Sequence, residues 1–154
     1  MTVPQLHYYT ISPQVVAFSS TRHGGVSEGN YGEFNINAYC GDASDRIAKN
    51  RQFLSALLGI PESAVIMPHQ VHGIEVRRVD VPSHDVIEGV DAVMTDVSQL
   101  CIGVSTADCI PILLYDARHH AICAVHAGWR GSVKRILHQA VTAMHDAYGC
   151  HPAD

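Results

Sequence analysis

Two histidines and one cysteine, far apart along the chain, are the residues whose chemistry could converge on one site. His72, Cys109 and His126 each stand beside a predicted strand end and a turn residue. Two imidazoles and a thiolate suit Zn²⁺, and three protein ligands leave the fourth tetrahedral position open, as in catalytic zinc sites. The spacing matches no short zinc motif. Two interpretations therefore stay open: a metal site, or two hydrogen-bonded structural histidines and a buried cysteine.

The same side chains also allow chemistry without a metal. Cys109 could act as a nucleophile with His126 as its base, which would make the protein a cysteine hydrolase. Asp108 directly precedes Cys109 inside an apolar run, where a buried carboxylate would need a hydrogen-bond donor or a cation as its partner. If the reaction needs a proton carrier, Asp108 and His69 are candidates, and Asp108 could instead be a support that orients a ligand or a backbone N–H group.

Two arginines stand beside glycine-containing turns and could hold an anion. Arg22 belongs to the segment 20–32, which carries four glycines, and Arg130 follows the predicted strand that holds His126. Guanidinium and backbone N–H groups are the usual protein partners of phosphate. Each arginine could equally be an ordinary surface charge, so both interpretations stay open.

Apolar runs predict the strands that would position these residues. Strand-like segments occur at 7–11, 15–19, 64–79, 91–96, 101–106, 110–116 and from 121 to the turn after His126. The segments 101–106 and 110–116 are nearly all apolar, which predicts burial on both faces. An extended segment 64–79 would point His69 and His72 to opposite sides, so at most one of them should enter a given site.

Two helices follow from apolar residues at helical spacing. The first spans residues 43–58 and is stopped by Gly59. The second follows the glycine-rich turn, with Ser132 as its N-cap, and is stopped by Gly149. Several buried strands with two amphipathic helices predict a mixed α/β (α+β) fold, with the helices packed on the sheet.

Composition excludes several functional classes. The chain has 154 residues, 47% hydrophobic and only 16% charged, which is enough for one sizeable core and compatible with a homo-oligomer contact. A net charge of −5 offers no basic surface for nucleic acid. The N-terminal residues lack the features of a secretory signal, and Asp108 interrupts the longest apolar stretch, so we expect a cytoplasmic protein that does not enter membranes. Five cysteines without tight pairing predict free thiols.

Five segments stand out as a series along the chain. They are Thr21-Arg-His-Gly-Gly-Val-Ser, His69-Gln-Val-His-Gly, Asp91-Ala-Val-Met-Thr-Asp, Ala107-Asp-Cys-Ile-Pro-Ile-Leu-Leu-Tyr-Asp and Ala124-Val-His-Ala-Gly-Trp-Arg-Gly. In identity and order they resemble the signature segments of the bacterial YfiH family. The resemblance covers nearly the whole chain and implies a layered mixed-sheet sandwich. It also implies that His72, Cys109 and His126, which match the family's zinc-binding positions, bind zinc.

One departure from the family concerns its C-terminal segment. Family members carry a further stretch that includes a Cys-Tyr-Glu-Val-Gly-like motif, whereas this sequence ends at Asp154. The resemblance therefore leads us to expect that residues 1–154 form a single domain that lacks this segment.

The resemblance also implies a reaction. Family members have been described as purine nucleoside phosphorylases, earlier as multicopper polyphenol oxidases, and in some bacteria as a peptidoglycan editing factor. A zinc-dependent phosphorylase, with adenosine deaminase activity, would act on adenosine, inosine or methylthioadenosine. Phosphate would then attack the sugar C1′, with Arg22 and Arg130 as the candidate phosphate partners. The alternatives are a zinc amidase acting on peptidoglycan precursors and a copper oxidase, although eleven histidines without one His-x-His pair favour zinc.

Overall fold

The computed structural model describes residues 3–153 and divides the chain into two compact units, one extending to Glu62 and the other beginning at Ser63. The first unit contains β1 (Leu6–Ser12), β2 (Val15–Ser20) and α1 (Ser44–Leu58). The second contains β3 (Val65–Ile66), β4 (Val76–Arg78), β5 (Ala92–Thr95), β6 (Cys101–Ile102), β7 (Ile110–Asp116), β8 (Ala121–Ala127), α2 (Trp129–Val133) and α3 (Ile136–Tyr148). The predicted mixed α/β fold class is confirmed. Across residues 3–153, no helix has both the length and the apolar character that a bilayer span requires.

The first unit is built from a hairpin, a loop and one helix. Strands β1 and β2 pair antiparallel and cover the strand-like segments predicted at 7–11 and 15–19. Helix α1 ends at Gly59, whose φ of +69° is the left-handed conformation that terminates helices. Before α1, the carboxylate of Asp42 accepts hydrogen bonds from the Ser27 hydroxyl at 2.6 Å and from the Asn35 amide at 3.0 Å. These bonds hold the loop that precedes the helix.

The second unit is organised around β8. The four-stranded sheet has the order β4-β5-β8-β7, in which β8 pairs antiparallel with β5 on one side and with β7 on the other. This central position explains why Ala121–Ala127 is a continuous apolar run that is buried almost throughout. In the β7–β8 pair, Ile110 lies opposite Ala127 and Asp116 lies opposite Ala121. The two ends of this hairpin carry the side chains considered below.

Two predicted strands are much shorter than expected. The segment 64–79 contains only β3 and β4, separated by a turn, and the segment 101–106 contains only β6. Side chains take the place of strand partners in both interruptions. The Gln70 amide donates to the Ser105 carbonyl at 2.8 Å and accepts from the Ser105 N–H at 2.7 Å. The carboxylate of Asp91 binds three successive N–H groups of the turn at 71–73.

Strand β7 is not buried on both faces, and that prediction is wrong. Ile110 is 63% exposed and Leu113 is 39% exposed. Within residues 3–153, β7 pairs only with β8, so it is an edge strand of the four-stranded sheet. An apolar composition alone does not distinguish an edge strand from a central one, because both can bury one face.

Helix α3 forms the core with the sheet. Ile136, Ala140 and Met144, at helical spacing, are buried in one cluster with residues of β5 and β8. The helix ends at Gly149, as predicted, but it does not begin at Ser132. Ser132 lies inside the separate short helix α2, whose N-cap is Gly128. The left-handed φ of +65° at Arg135 interrupts the helical conformation between α2 and α3. The apolar pattern does not reveal this interruption.

Candidate metal centre

The three predicted ligands lie together at one end of the β7–β8 hairpin. Cys109 immediately precedes β7, His126 is the next-to-last residue of β8, and His72 lies in the turn before β4. The Cys109 Sγ atom is 3.8 Å from His72 Nε2, and the centroids of the two imidazole rings are 4.8 Å apart. One ligand atom from each residue lies within 4.8 Å of the other two. Folding thus brings together three side chains that are distant in the sequence.

The fully buried carboxylate of Asp91 is hydrogen-bonded to the imidazole of His126 and to the backbone of the turn that contains His72. Its Oδ1 atom accepts hydrogen bonds from His126 Nδ1 at 2.8 Å and from the His72 N–H at 2.9 Å. Its Oδ2 atom accepts from the N–H groups of Val71 at 3.1 Å and Gly73 at 2.8 Å. Because Nδ1 of His126 is bonded to Asp91, its Nε2 is left available to a metal ion.

The hydrogen bonds to Asp91 also decide its charge. Burial raises the pKa of the Asp91 carboxyl, but the hydrogen bonds from His126 and from the three backbone N–H groups outweigh burial and lower the pKa below its ordinary value. Asp91 is therefore ionised at neutral pH. An ionised carboxylate accepts and cannot donate, so the proton of the Asp91–His126 hydrogen bond belongs to Nδ1.

His72 has an unusual backbone conformation. Its φ of +60° is left-handed, which costs a residue with a β-carbon about 1–3 kcal/mol. The hydrogen bond from its N–H to Asp91 holds the turn in this conformation. His72 is exposed, Cys109 is half-buried and His126 is buried. The group is therefore open to solvent on the His72 side.

The three side chains converge above Gly128, which follows β8. A Cβ atom at Gly128 would lie 2.8 Å from His72 Cδ2, 3.3 Å from Cys109 Sγ and 3.6 Å from His126 Cε1. A side chain at this position would therefore force at least the His72 imidazole to move away from the other two side chains. Within the part of the chain that the structure describes, the group has three members. Two imidazoles and one thiolate, with room for a fourth ligand, fit Zn²⁺.

The other predicted residues are placed differently. Asp108 is exposed, so the expectation that it needs a buried partner is wrong. It still directly precedes Cys109. Arg130 is also exposed, and its guanidinium lies over the indole of Trp129, 5.3 Å from the ring centroid. Arg22 belongs to the first unit, where its Nε donates to the carbonyl of Gly32 at 2.8 Å.

His69 does not join the group. Its Nδ1 atom lies 2.6 Å from an oxygen of Glu88, and both side chains are well exposed. This pair has the same chemistry as the His126–Asp91 pair but lies at the surface. The expectation that only one histidine of the His-Gln-Val-His-Gly segment enters the site agrees with this placement.

Sequence reasoning missed Asp91 and Gly128. Asp91 was recognised only as the first residue of a signature segment, and Gly128 only as a turn residue. One signal could have identified Asp91: an acidic residue directly before a largely apolar strand must find hydrogen-bond donors once it is buried. No comparable signal separates Gly128 from the other turn glycines, because the crowding around it comes from three distant segments.

Comparison with known proteins identifies a protein family and several relatives of this chain. The family model described as multi-copper polyphenol oxidoreductase laccase matches residues 16–154. A protein of Bacteroides thetaiotaomicron named purine nucleoside phosphorylase is 38% identical over 146 residues, which covers 89% of this chain and 54% of that protein. A protein from an unknown prokaryotic organism named adenosine deaminase is 37% identical over 138 residues, covering 84% of this chain and 53% of that protein.

A solved structure shows the same fold. The crystal structure of Bacillus licheniformis hypothetical protein YfiH superposes with a TM-score of 0.86 over 96% of this chain and 61% of that chain, at 24% identity. This chain spans about half the length of the curated relatives it matches. Both of those relatives carry the names of enzymes that act on nucleosides.

Proposed function

The chain belongs to the multi-copper polyphenol oxidoreductase laccase family, which confirms its resemblance to YfiH proteins, and we propose that it is a zinc-dependent purine nucleoside phosphorylase. Adenosine deamination is its second activity in this proposal. The observation that carries the proposal is the group of His72, Cys109 and His126 beside the buried Asp91. The names of the two curated relatives support a nucleoside, such as adenosine, inosine or methylthioadenosine, as the substrate.

The chain's own residues would prepare the site for an ion. His72, Cys109 and His126 would hold zinc, which when bound supplies Lewis acidity at the open fourth position. Asp91 keeps the proton on His126 Nδ1, so the lone pair of the other ring nitrogen would be available to zinc. Gly128 leaves the space into which the ligands converge. These contacts fix the ligands before substrate arrives, which reduces the cost of ordering them.

Phosphorolysis requires an anion site and a proton donor. Phosphate attack forms a C–O bond at the sugar C1′ and breaks the C–N bond, and the purine leaves with the electron pair and takes up a proton. Arg130 and Arg22 are the proposed phosphate partners, because a guanidinium can hold phosphate with two hydrogen bonds. Asp108, exposed next to Cys109, is the proposed proton carrier.

A copper-dependent polyphenol oxidase is the second candidate. The family description names copper, and two histidines with one cysteine also occur in mononuclear copper sites. Oxidases with several coppers need more ligands. The described residues contain two groups that could hold a metal ion, and together these groups include three histidines. Intense visible absorption on copper loading, together with oxidation of a phenol, would favour this candidate over zinc.

The proposed function is tested by separating its two reactions. Zinc-loaded protein is incubated with adenosine, with and without phosphate, and adenine, inosine and ribose 1-phosphate are followed by chromatography. Adenine and ribose 1-phosphate that appear only with phosphate indicate phosphorolysis, whereas inosine indicates deamination. Formation of neither product, by protein with stoichiometric zinc, would refute the proposal. Full activity after zinc removal would instead favour the cysteine hydrolase interpretation of Cys109 and His126.

Variants connect the reaction to the site. His72→Ala, Cys109→Ala and His126→Ala should each lose turnover and the zinc ion held by this group, as measured by the same chromatography and by the fall in zinc content relative to the wild type. His69→Ala is the matched control for zinc content, since this histidine pairs with Glu88 outside the group. Arg22→Ala should weaken the phosphate dependence and leave zinc in place. A zinc content equal to that of the wild type in any of the three ligand variants would contradict the ligand assignment.

A further inference from the structure

A second group of side chains that can bind a metal lies at the opposite end of the β7–β8 hairpin. Asp116 is the last residue of β7, His119 lies in the turn to β8, and Cys150 follows the end of α3. One ligand atom from each lies within 4.8 Å of the other two. The strands between the two groups have seven residues each, which separates the groups by roughly 20 Å.

The turn holds the Asp116 carboxylate in a defined orientation. Its Oδ1 atom accepts hydrogen bonds from the N–H groups of Arg118 at 2.8 Å and His119 at 2.9 Å. Its Oδ2 atom lies 3.1 Å from His119 Nδ1, and the carboxylate also accepts a hydrogen bond from the Cys150 thiol. The Asp116 carboxylate therefore contacts the backbone of the turn, the imidazole and the sulfur.

The end of α3 brings Cys150 to this carboxylate. The helix stops at Gly149, whose φ of +76° is left-handed. A Cβ atom at Gly149 would lie 3.6 Å from His119 Nε2, so the chain passes close to the imidazole here. The carbonyl of Cys150 accepts a hydrogen bond from His145 Nδ1 at 2.9 Å, which fixes the chain just after the turn.

A cavity of about 170 Å³ adjoins the group. Asp116 and Cys150 line it together with the apolar side chains of Leu114, Val141 and Met144. Asp116 is 5% exposed and Cys150 is 7% exposed, whereas the His119 side chain is 29% exposed. The volume exceeds the roughly 10–15 Å³ that one water requires. The cavity therefore offers space for an ion with a water ligand beside Asp116 and Cys150.

We propose that Asp116, His119 and Cys150 form a second zinc site, which goes beyond the function proposed for the first group. A carboxylate oxygen, an imidazole nitrogen and a thiolate sulfur all belong to the ordinary zinc ligand set. Zinc–ligand distances of about 2.0–2.3 Å place tetrahedral ligand atoms about 3.3–3.8 Å apart. The 3.1 Å between His119 Nδ1 and Asp116 Oδ2 is close to that spacing, so small side-chain rotations can complete the site.

The role of this site is structural. An ion there would connect the turn of the β7–β8 hairpin to the C-terminal end of α3, two segments that the hydrogen bond from the Cys150 thiol to Asp116 already joins. Both segments flank the core cluster that contains Ala121 and Met144. Zinc should therefore raise the unfolding temperature of the protein, even in variants that lack the first site.

Zinc stoichiometry tests the proposal. The protein is stripped with a chelator, reloaded with Zn²⁺ and passed through gel filtration, and bound zinc is counted by mass spectrometry. We expect two ions per chain in the wild type and one in His119→Asn. His120→Asn, a substitution at the adjacent histidine of the same turn, is the matched control and should retain two. His72→Ala should also retain one, which distinguishes the two sites.

Cobalt identifies the sulfur ligand. In a Cys109→Ser background, Co²⁺ should still give a sulfur-to-cobalt absorption band, because Cys150 supplies the remaining thiolate. The band should disappear when Cys150→Ser is added and persist when Cys40→Ser, at an exposed cysteine, is added instead. Near-ultraviolet circular dichroism of the metal-free variants checks that each is folded.

Several outcomes would overturn the second site. They are one zinc ion in the wild type that is lost in His72→Ala, unchanged stoichiometry in His119→Asn, or loss of the second ion during gel filtration. None of these outcomes affects the first group. Conversely, if one ion binds and only His119→Asn removes it, the second site stands and the function proposed for the first group fails.

Discussion

Replacement of Asp91 by asparagine tests the central claim about the first site, which is that one buried carboxylate both folds the turn and orients a ligand. The Asp91 carboxylate accepts four hydrogen bonds, two at each oxygen. Asparagine has the same shape but keeps only one acceptor oxygen, and its NH₂ group then faces two N–H donors. At least two hydrogen bonds to a charged acceptor are therefore lost in Asp91→Asn.

The expected magnitude follows from that count. A hydrogen bond to a charged group contributes about 1.5–3 kcal/mol, so the loss of two lowers the free energy of unfolding by about 3–6 kcal/mol. Zinc affinity should fall by roughly 10–100-fold, the usual effect of losing a partner that orients a metal ligand. If the NH₂ group faces His126, the imidazole must accept at Nδ1, and its proton then occupies the nitrogen that the metal needs.

The assays measure the two effects separately. Urea unfolding of chelator-treated protein gives the change in the free energy of unfolding. Competition with a chromophoric chelator gives the zinc dissociation constant of the folded protein. Glu88→Gln is the matched control, because Glu88 makes the same kind of contact with His69 at the surface. An exposed pair contributes about 0–1 kcal/mol, so neither quantity should change appreciably.

One result would refute the reasoning. If Asp91→Asn unfolded at the wild-type urea concentration and bound zinc with wild-type affinity, the four hydrogen bonds would not determine the geometry of the site. A loss of stability with unchanged zinc affinity would refute only the orienting role and would leave the folding role of Asp91 intact.

Three further predictions concern packing and charge. Gly128→Ala should lower zinc affinity about fivefold or more, through roughly 1–3 kcal/mol of overpacking, because its Cβ would lie 2.8 Å from the nearer ligand imidazole. Chelator competition measures this change, and Gly103→Ala, which meets only a flexible methionine, is the control. The pKa of Asp42 is lowered from 3.8, above all by the hydrogen bond from Ser27, so Asp42 stabilises the protein above pH 3.8 and loses this effect as the pH falls through the lowered pKa. Urea unfolding should therefore show that the stability of Asp42→Asn depends less on acid pH than the stability of the wild type. An unchanged acid dependence in this variant would contradict the role of Asp42. Ile136→Ala should reduce the free energy of unfolding by about 2–5 kcal/mol because the side chain is fully buried, and a urea midpoint equal to that of the wild type would contradict the core assignment.

Local features of the fold could be predicted from the sequence. The positions of β1, β2, β7 and β8, and the ends of α1 and α3 at Gly59 and Gly149, follow from alternation, apolar runs and glycine stops. These signals act between residues close in sequence, so the sequence alone contains them. The lengths of β3 and β6 could not be predicted, because Gln70 and Asp91 replace strand partners with side-chain contacts from distant segments.

The composition of the candidate site was also accessible from the sequence, but its arrangement was not. His72, Cys109 and His126 were singled out by ligand type and by resemblance, and their role as zinc ligands stays a prediction. Asp91 was missed because its importance depends on the donors that surround it once it is buried. The group at Asp116 was missed as well, since Cys150 reaches it only through the turn at the end of α3.

The sequence by itself determined the mixed α/β class, the two long helices, the apolar strand that carries His126 and the candidate ligands of the first group. Only the tertiary structure decided which strand is central, which carboxylate is buried and which imidazole nitrogen is left for a metal. The physical reason is one of range. Backbone preferences and apolar periodicity act over a few residues, whereas burial and hydrogen-bond partners are set by segments that meet only when the sheet has formed.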